Sequence, residues 1–169
     1  MIPIKTKSTA DFELKPYHRI IYSIILVIAL LWCAGILAAP LWENEPGIRG
    51  DVSKFLYSFY SMSCHQRSIH SLFIGGSKLG VCSRCTMIYF GFLLTTMLYP
   101  FVKRLGNLYM PPIWMLLGAA ALVALDAGLD ALNIVSNTFA SREITGAIVG
   151  LFLPFYIIPG TLRMFYEFF

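Results

Sequence analysis

Four long apolar stretches, separated by polar segments, constrain what this chain can fold into. They cover residues 20–41, 86–101, 112–134 and 144–166. A hydrocarbon core of about 30 Å is spanned by roughly 20 apolar helical residues, and a helix satisfies its own backbone hydrogen bonds there. The chain is therefore predicted to be an all-α polytopic membrane protein, with four transmembrane helices in a single domain of 169 residues. The second stretch is short, so its helix is expected to start earlier or to be shielded by its neighbours.

Composition supports lipid as the main solvent. Charged residues make up 13% of the chain and the mean hydropathy is +0.70, whereas soluble domains carry about a quarter charged residues. No basic run is long enough to suggest a nucleic-acid partner. The expected partner is the lipid bilayer, and a bundle this small is also a candidate for self-association.

The polar segments set the expected topology. Residues 1–19 are predicted to form a cytoplasmic tail and residues 42–85 a long Cys/His segment. Within that segment, residues 52–62 have helical spacing, which favours an interfacial helix or, alternatively, a helix packed on the core. The short basic loop with Lys103 and Arg104 favours both termini in the cytoplasm and the Cys/His segment on the outer side of the membrane.

Three cysteines of the Cys/His segment have the spacing of a metal site. Cys82 and Cys85 are separated by two residues, and Cys64 lies upstream. Two thiolates at this spacing can bind one ion across a tight turn. The sequence predicts a zinc site on these three thiols, with His65 or His70 as the fourth ligand.

The same cysteines also fit redox chemistry. Cys82 and Cys85 can exchange a disulfide with Cys64 as a third thiol, and Arg84 between them would stabilise a thiolate. In that alternative, electrons leave through a membrane quinone. A third possibility is that the thiols only pack a loop. Cys33, inside the first apolar stretch, is expected to be a small apolar helix residue.

Two carboxylates interrupt the third apolar stretch. Asp126 and Asp130 lie four residues apart and therefore on one helix face. Each charge costs about 2.5–3.5 kcal/mol inside a bilayer, so a partner is expected. Arg142 is the nearest candidate, with Asn137 and Thr145 completing a polar patch. The pair is predicted to act as acid and base or to bind a cation; a structural Asp–Arg pair is the alternative.

The cysteine cluster and the two carboxylates are expected at the same end of the hairpin formed by the second and third predicted helices. The Cys cluster opens the second predicted helix and the carboxylates lie towards the end of the third, so the two should share one membrane face. Several glycines in the later helices are expected to be helix contacts. They are Gly118, Gly128, Gly146 and Gly150.

Two tandem motifs resemble those of a known family. The first is Cys64-His65-Gln66, and the second runs from Cys82 through Arg84, Cys85 and Thr86 to Ile88-Tyr89 and Gly91. They resemble an uncharacterised family of small prokaryotic integral membrane proteins, catalogued as a domain of unknown function. That family continues with an Asp in a later helix and an R-x-x-TG ending, matched here by Asp126 and by Arg142 to Gly146.

The resemblance implies an integral protein of a prokaryotic cytoplasmic membrane, and it implies no reaction. One departure from the family pattern stands out, because His70-Ser71 replaces a common Arg-Ser pair. This puts a fixed cationic role there in doubt or makes His70 its titratable substitute.

The leading hypothesis is a membrane protein with a Cys/His zinc site and an adjacent polar site at the outer face. The candidate catalytic residues are Asp126, Asp130, Arg142 and Arg84. The alternatives are a quinone-coupled thiol–disulfide oxidoreductase and a structural or assembly subunit, so whether the protein is an enzyme stays open.

Overall fold

The computed structural model of the protein describes residues 16–132, 134 and 136–168. Residues 1–15, most of the predicted tail, lie outside this range. The described chain is mostly helical, as predicted. Its helices are α1 (Pro16–Leu41), α2 (Ile48–Ser61), α3 (Ser83–Val102), α4 (Ile113–Ala131), α5 (Phe139–Phe152) and α6 (Pro154–Phe168), and its two short strands are β1 (Phe73–Ile74) and β2 (Ser77–Lys78).

Four helical segments are long and apolar enough to cross a membrane, which confirms the prediction. They are Pro16–Leu41, Ser83–Val102, Ile113–Ala131 and Phe139–Tyr166. The second span begins at Ser83, inside the Cys motif, and its 20 residues reach about 30 Å at 1.5 Å per residue. The short apolar stretch is thus extended to full length by the polar first turn of α3.

The fourth span consists of two helices. Proline has no backbone N–H to donate within a helix, and Pro154 interrupts the hydrogen-bond ladder between α5 and α6. The Leu153 carbonyl accepts hydrogen bonds from the backbone N–H of Tyr156 and Ile157, both at 3.0 Å. The span is therefore broken but continuous, and it starts at Phe139, earlier than predicted.

Helices α3 and α5 pack closely because two glycines leave room for backbone contact. A Cβ atom on Gly146 would overlap the carbonyl oxygen of Arg84, and one on Gly150 would overlap that of Ile88. The expected contact role is confirmed for these two glycines. It is wrong for Gly118 and Gly128, where an added Cβ meets nothing within 4 Å among the described residues.

Between α1 and α3, residues 42–82 form a folded segment, which is called the cap below. The predicted helix is present as α2, and one of its faces packs on α1: the Ser53 hydroxyl donates to the Ala39 carbonyl at 2.7 Å and Tyr60 donates to the Trp32 carbonyl at 2.8 Å. The opposite face leaves Phe55 exposed. The strands form a hairpin whose Gly75 and Gly76 adopt positive φ, as two-residue hairpin turns require.

The cap lies at one end of the bundle and the described chain ends lie at the other. Ile36, Tyr60 and Cys64 share the core cluster beneath the cap. Ile21 and Leu162 belong to a separate cluster formed by the first turns of α1, the end of α3 and the first and middle turns of α6. The end of α6 lies beside the start of α1, because the Tyr17 and Phe165 rings stack with centroids 6.5 Å apart. The cap and the chain ends therefore lie near opposite membrane faces.

The glycine contact predicts a stability effect. Gly150→Ala places a methyl group against the Ile88 backbone, and overpacking of this kind costs about 1–3 kcal/mol. We expect a lower midpoint in thermal or denaturant unfolding in detergent. Gly118→Ala is the matched control, because its methyl group is unobstructed and alanine favours the helix. Equal stability of both variants would contradict the close α3–α5 contact.

Candidate metal centre and adjoining ion pairs

Three thiols meet where the cap joins α3. The Sγ atoms of Cys64, Cys82 and Cys85 lie within 4.8 Å of one another. Cys64 is buried, and the other two are half-buried. Cys33 lies apart in α1, where its Sγ contacts the Tyr89 carbonyl at 3.5 Å. The structure thus brings together the three cysteines that the spacing predicted and leaves the fourth in a helix.

Two helix ends position the thiols. The Cys64 backbone N–H donates to the Tyr60 carbonyl at 3.0 Å at the end of α2. Cys82 is the N-cap residue of α3, where its carbonyl accepts from the Thr86 N–H at 2.9 Å and the Thr86 hydroxyl at 3.0 Å. The two ends are joined by the Cys82 N–H, which donates to the Cys64 sulfur at 3.2 Å.

Gln66 holds the loop that carries Cys64, a role that the sequence did not reveal. Its side-chain amide donates to the carbonyls of Tyr57 and Gly80, both at 2.8 Å. Its φ of 45° lies in the left-handed region that non-glycine residues rarely adopt. The glutamine of the first motif therefore fixes the loop across the cap, and its place beside Cys64-His65 was the available signal.

The two histidines do not join the group of three thiols. His65 is exposed and lies on the same cavity as the thiols. His70 lies at the α5 side, with its Nε2 atom 3.1 Å from Arg142 Nη2. A neutral His70 can accept a hydrogen bond from this guanidinium, so its partner here is an arginine.

The thiols and His70 differ in their tendency to carry charge. Hydrogen bonds from Cys82, and to a smaller extent from Cys85, lower the pKa of the Cys64 thiol. The hydrogen bond to Cys64 raises the pKa of Cys82. Cys64 is therefore the first of these two thiols to ionise. Burial, followed by the charge of Arg142, lowers the pKa of His70, which favours its neutral form.

Two ion pairs tie the carboxylates of α4 to neighbouring helices. Asp130 Oδ2 lies 2.6 Å from Arg142 Nη2, the predicted partner, and both side chains are mostly buried. Asp126 pairs with Arg84 of α3 through the same atom types. This second pair was missed because the sequence placed Arg84 only between two cysteines.

Asn137 links the two carboxylates, as the predicted polar patch implied. Its side-chain amide donates to the Asp126 carbonyl at 2.8 Å and to Asp126 Oδ2 at 3.0 Å. Its backbone N–H donates to Asp130 Oδ1 at 3.1 Å. Thr145 takes no part, because its hydroxyl bonds the Ser141 and Arg142 carbonyls of its own helix.

The thiols and the ion pairs share one cavity of about 590 Å³, called the polar cavity below. Its walls include all three clustered cysteines together with Arg84, Asp130 and Arg142. The expectation that both features converge at one face of the bundle agrees with this geometry. A molecule in the polar cavity would contact sulfur, guanidinium and carboxylate groups at once.

A second cavity, of about 360 Å³, lies between the helices and is called the apolar cavity below. Its walls are contributed by α1, α3, Leu153 and α6, and include Ala29, Trp32, Ile88 and Tyr89. Trp32 and Tyr89 also pack against the core beneath the cap, together with Cys82 and Cys85. The two cavities therefore border the same core cluster.

Comparison with known proteins places this architecture in a family. A family model described as "Predicted membrane protein (DUF2085)" matches residues 64–156, more than half of the chain. The protein belongs to this family. The DUF2085 match begins at Cys64 and extends through α3, α4 and α5, so it contains the three clustered thiols and both ion pairs.

A relative from an archaeon shares nearly the whole chain. The uncharacterized protein MJ1492 of Methanocaldococcus jannaschii is 35% identical over 153 residues, which cover 86% of this chain and 96% of the relative. No solved structure matches this DUF2085 chain.

The buried pair of Arg84 and Asp126 predicts strong coupling between the two side chains. Removal of one partner leaves an uncompensated buried charge, which costs about 3–5 kcal/mol. Arg84→Gln and Asp126→Asn should each lower the free energy of unfolding. The double variant should lose less than the sum of the two single losses. Denaturant unfolding of all four proteins in detergent gives the coupling energy; strictly additive losses would show that the side chains do not interact.

Proposed function

We propose that the protein binds a zinc ion through Cys64, Cys82 and Cys85, next to an Asp/Arg polar site at the same membrane face. The approach of the three Sγ atoms to within 4.8 Å is the observation that carries this proposal. Thiolates in a tetrahedral zinc site lie roughly 3.8 Å apart with Zn–S bonds of about 2.3 Å. Small rotamer changes would bring the three sulfurs to this separation.

The number of clustered ligands supports an open zinc site. Structural zinc usually has four protein ligands, whereas catalytic zinc keeps three and leaves one position for water or substrate. The group of three thiols contains neither His65 nor His70. The fourth position would face the polar cavity, where His65 or a bound molecule can complete the coordination.

The ion pairs suggest different roles for the two carboxylates. Asp130 lines the polar cavity with Arg84 and Arg142, and its side chain keeps 28% of its surface exposed. It is the carboxylate that can reach a bound molecule as an acid or base. Asp126, held by Arg84 and Asn137, is a positioning residue for the Arg84 guanidinium.

A second candidate function is thiol–disulfide exchange coupled to a quinone. It is favoured by the position of Cys82 and Cys85 at the N-terminus of α3, since a helix N-terminus activates thiols for exchange. Formation of the Cys82–Cys85 bond would release two electrons and two protons, which a quinone would accept to form a quinol. The apolar cavity is the place where such a quinone would bind.

The orientation is also a proposal. The described chain ends share one end of the bundle, and Lys103 and Arg104 lie in the loop that leaves α3 at that end. Positive residues near helix ends favour the cytoplasm. We therefore place both termini in the cytoplasm and the cap with its thiols on the outer side of the cytoplasmic membrane.

Metal analysis tests the zinc proposal. The purified protein should contain about one zinc per chain, because the three thiols form a single group. Cys64→Ser, Cys82→Ser and Cys85→Ser should each lose most of it, while Cys33→Ser, the matched control, should keep it. Elemental mass spectrometry and the thiolate charge-transfer absorption of the cobalt-substituted protein provide the measurements.

The same preparation separates the two candidate functions. A metal-free protein with a reducible Cys82–Cys85 disulfide, whose reduced form is reoxidised by added quinone, would replace zinc binding with thiol exchange. Equal zinc content in Cys33→Ser and Cys64→Ser would show that the thiol cluster is not the metal site.

Reporter fusions test the orientation. Alkaline phosphatase inserted after Gly75, at the tip of the hairpin, should be active because that enzyme folds outside the cytoplasm. Green fluorescent protein fused after Phe169 should fluoresce, since it matures in the cytoplasm. Loop tips of this kind tolerate insertions. An inactive phosphatase with a dark C-terminal fusion would reverse the assignment.

A further inference from the structure

The two cavities follow one another along α3. Arg84 and Cys85 line the polar cavity, and Ile88 and Tyr89 line the apolar cavity. Residues four positions apart lie on the same helix face, about one turn or 5.4 Å further along. A single elongated molecule lying along this face of α3 could therefore contact both cavities.

The polar cavity has the donors that an oxyanion requires. Arg67, Arg84 and Arg142 line it, and Asp130 is the carboxylate among its lining residues. Arg142 is only 6% exposed. The Nε atoms of Arg84 and Arg142 are buried and have no hydrogen-bond partner among the described residues. Guanidinium groups with donors to spare suit phosphate oxygens, which they bind through paired N–H groups.

The ion pairs leave part of each guanidinium unused. Arg84 and Arg142 both contact their carboxylates through Nη2, one of the three guanidinium nitrogens. Arg67 is exposed and has no carboxylate partner within the described part of the chain. The guanidinium nitrogens that the carboxylates do not use, together with Arg67, therefore offer charged donors to an anionic group in the polar cavity.

The apolar cavity has the opposite chemistry. Its walls are almost entirely aliphatic and aromatic, and the helices that supply them, α1, α3 and α6, all belong to membrane-spanning segments. It therefore lies at hydrocarbon depth, whereas the polar cavity lies at the end of those spans beneath the cap. This order, charged group outside and apolar chain inside, is that of a membrane lipid.

We propose that the two cavities together bind one membrane lipid with a phosphate-bearing head group. The head group lies on Arg67, Arg84 and Arg142 in the polar cavity, and a hydrocarbon chain lies in the apolar cavity. This inference rests on the proposed function, because it makes the lipid the molecule presented to the open position of the zinc site. It identifies the ligand class of that site as an anionic lipid.

Binding measurements with matched probes test the proposal. Zinc-loaded protein in neutral detergent is titrated with dioleoyl phosphatidic acid, with dioleoylglycerol, which lacks the phosphate, and with inorganic phosphate, which lacks the chains. Native mass spectrometry counts the bound molecules. Phosphatidic acid should bind one per chain and at least tenfold more tightly than either other probe, because only it fills both cavities.

Two pairs of variants separate the cavities from general membrane affinity. Arg67→Gln should weaken phosphatidic acid binding about tenfold, the equivalent of one charge-assisted hydrogen bond. Arg49→Gln, an exposed arginine paired with Glu45 on the same cap, should leave it unchanged. Ala29→Leu fills the apolar cavity and should weaken binding, whereas Ala34→Leu, on the exposed side of α1, should not.

Several outcomes would overturn the inference. If dioleoylglycerol binds as tightly as phosphatidic acid, the polar cavity is not a head-group site. If inorganic phosphate binds as tightly, the ligand is a free anion and not a lipid. Equal losses in Arg67→Gln and Arg49→Gln would show general charge attraction. Zinc is measured in every sample: full zinc without lipid binding refutes the lipid alone, and lipid binding without zinc refutes the metal centre alone.

Discussion

A carboxylate within a membrane-spanning helix needs a positive partner, and this requirement organises the protein. Asp126 and Asp130 of α4 meet it with Arg84 and Arg142. Unpaired, each charge would cost about 2.5–3.5 kcal/mol in the bilayer. Because Arg84 belongs to α3 and Arg142 to α5, the two pairs bring three helices together beneath the cap. The thiols of Cys82 and Cys85, which flank Arg84, are placed at the same point.

The glycines of α5 and the cap complete this arrangement from opposite sides. Gly146 and Gly150 let α5 approach the α3 backbone, which brings Arg142 within reach of α4. Across the bundle, Gln66 holds the loop of Cys64 against Gly80, close to Cys82. The proposed metal centre and the proposed lipid head-group site therefore depend on the same helix contacts, although their ligands come from different residues.

Much of this fold could be predicted from the sequence, because membrane helices leave a direct record in hydropathy. The four spans, the cysteine cluster and the Arg142–Asp130 pair follow from apolar length, spacing and charge. Helix bounds were predicted less accurately. Hydropathy does not mark the polar first turn of α3, and it does not show that the fourth span divides at Pro154. The hairpin was overlooked despite its Gly75-Gly76 signal. The Arg84–Asp126 pair depends on how α3 and α4 lie side by side, which no local pattern encodes.

Helix α4 buries few of its side chains against the rest of the bundle. Ala119 is its one buried residue among those described. Polar contacts hold α4 at both ends: the two ion pairs at the C-terminal end, and at the N-terminal end the Pro112 carbonyl, which accepts from the Tyr156 hydroxyl at 2.9 Å. Segments with few buried apolar contacts open at lower free energy than the rest of a fold. The middle of α4 is therefore the part of the bundle expected to separate from its neighbours at the lowest free energy. The proposed lipid would then reach the polar cavity sideways from the membrane plane, past this helix, without first leaving for water.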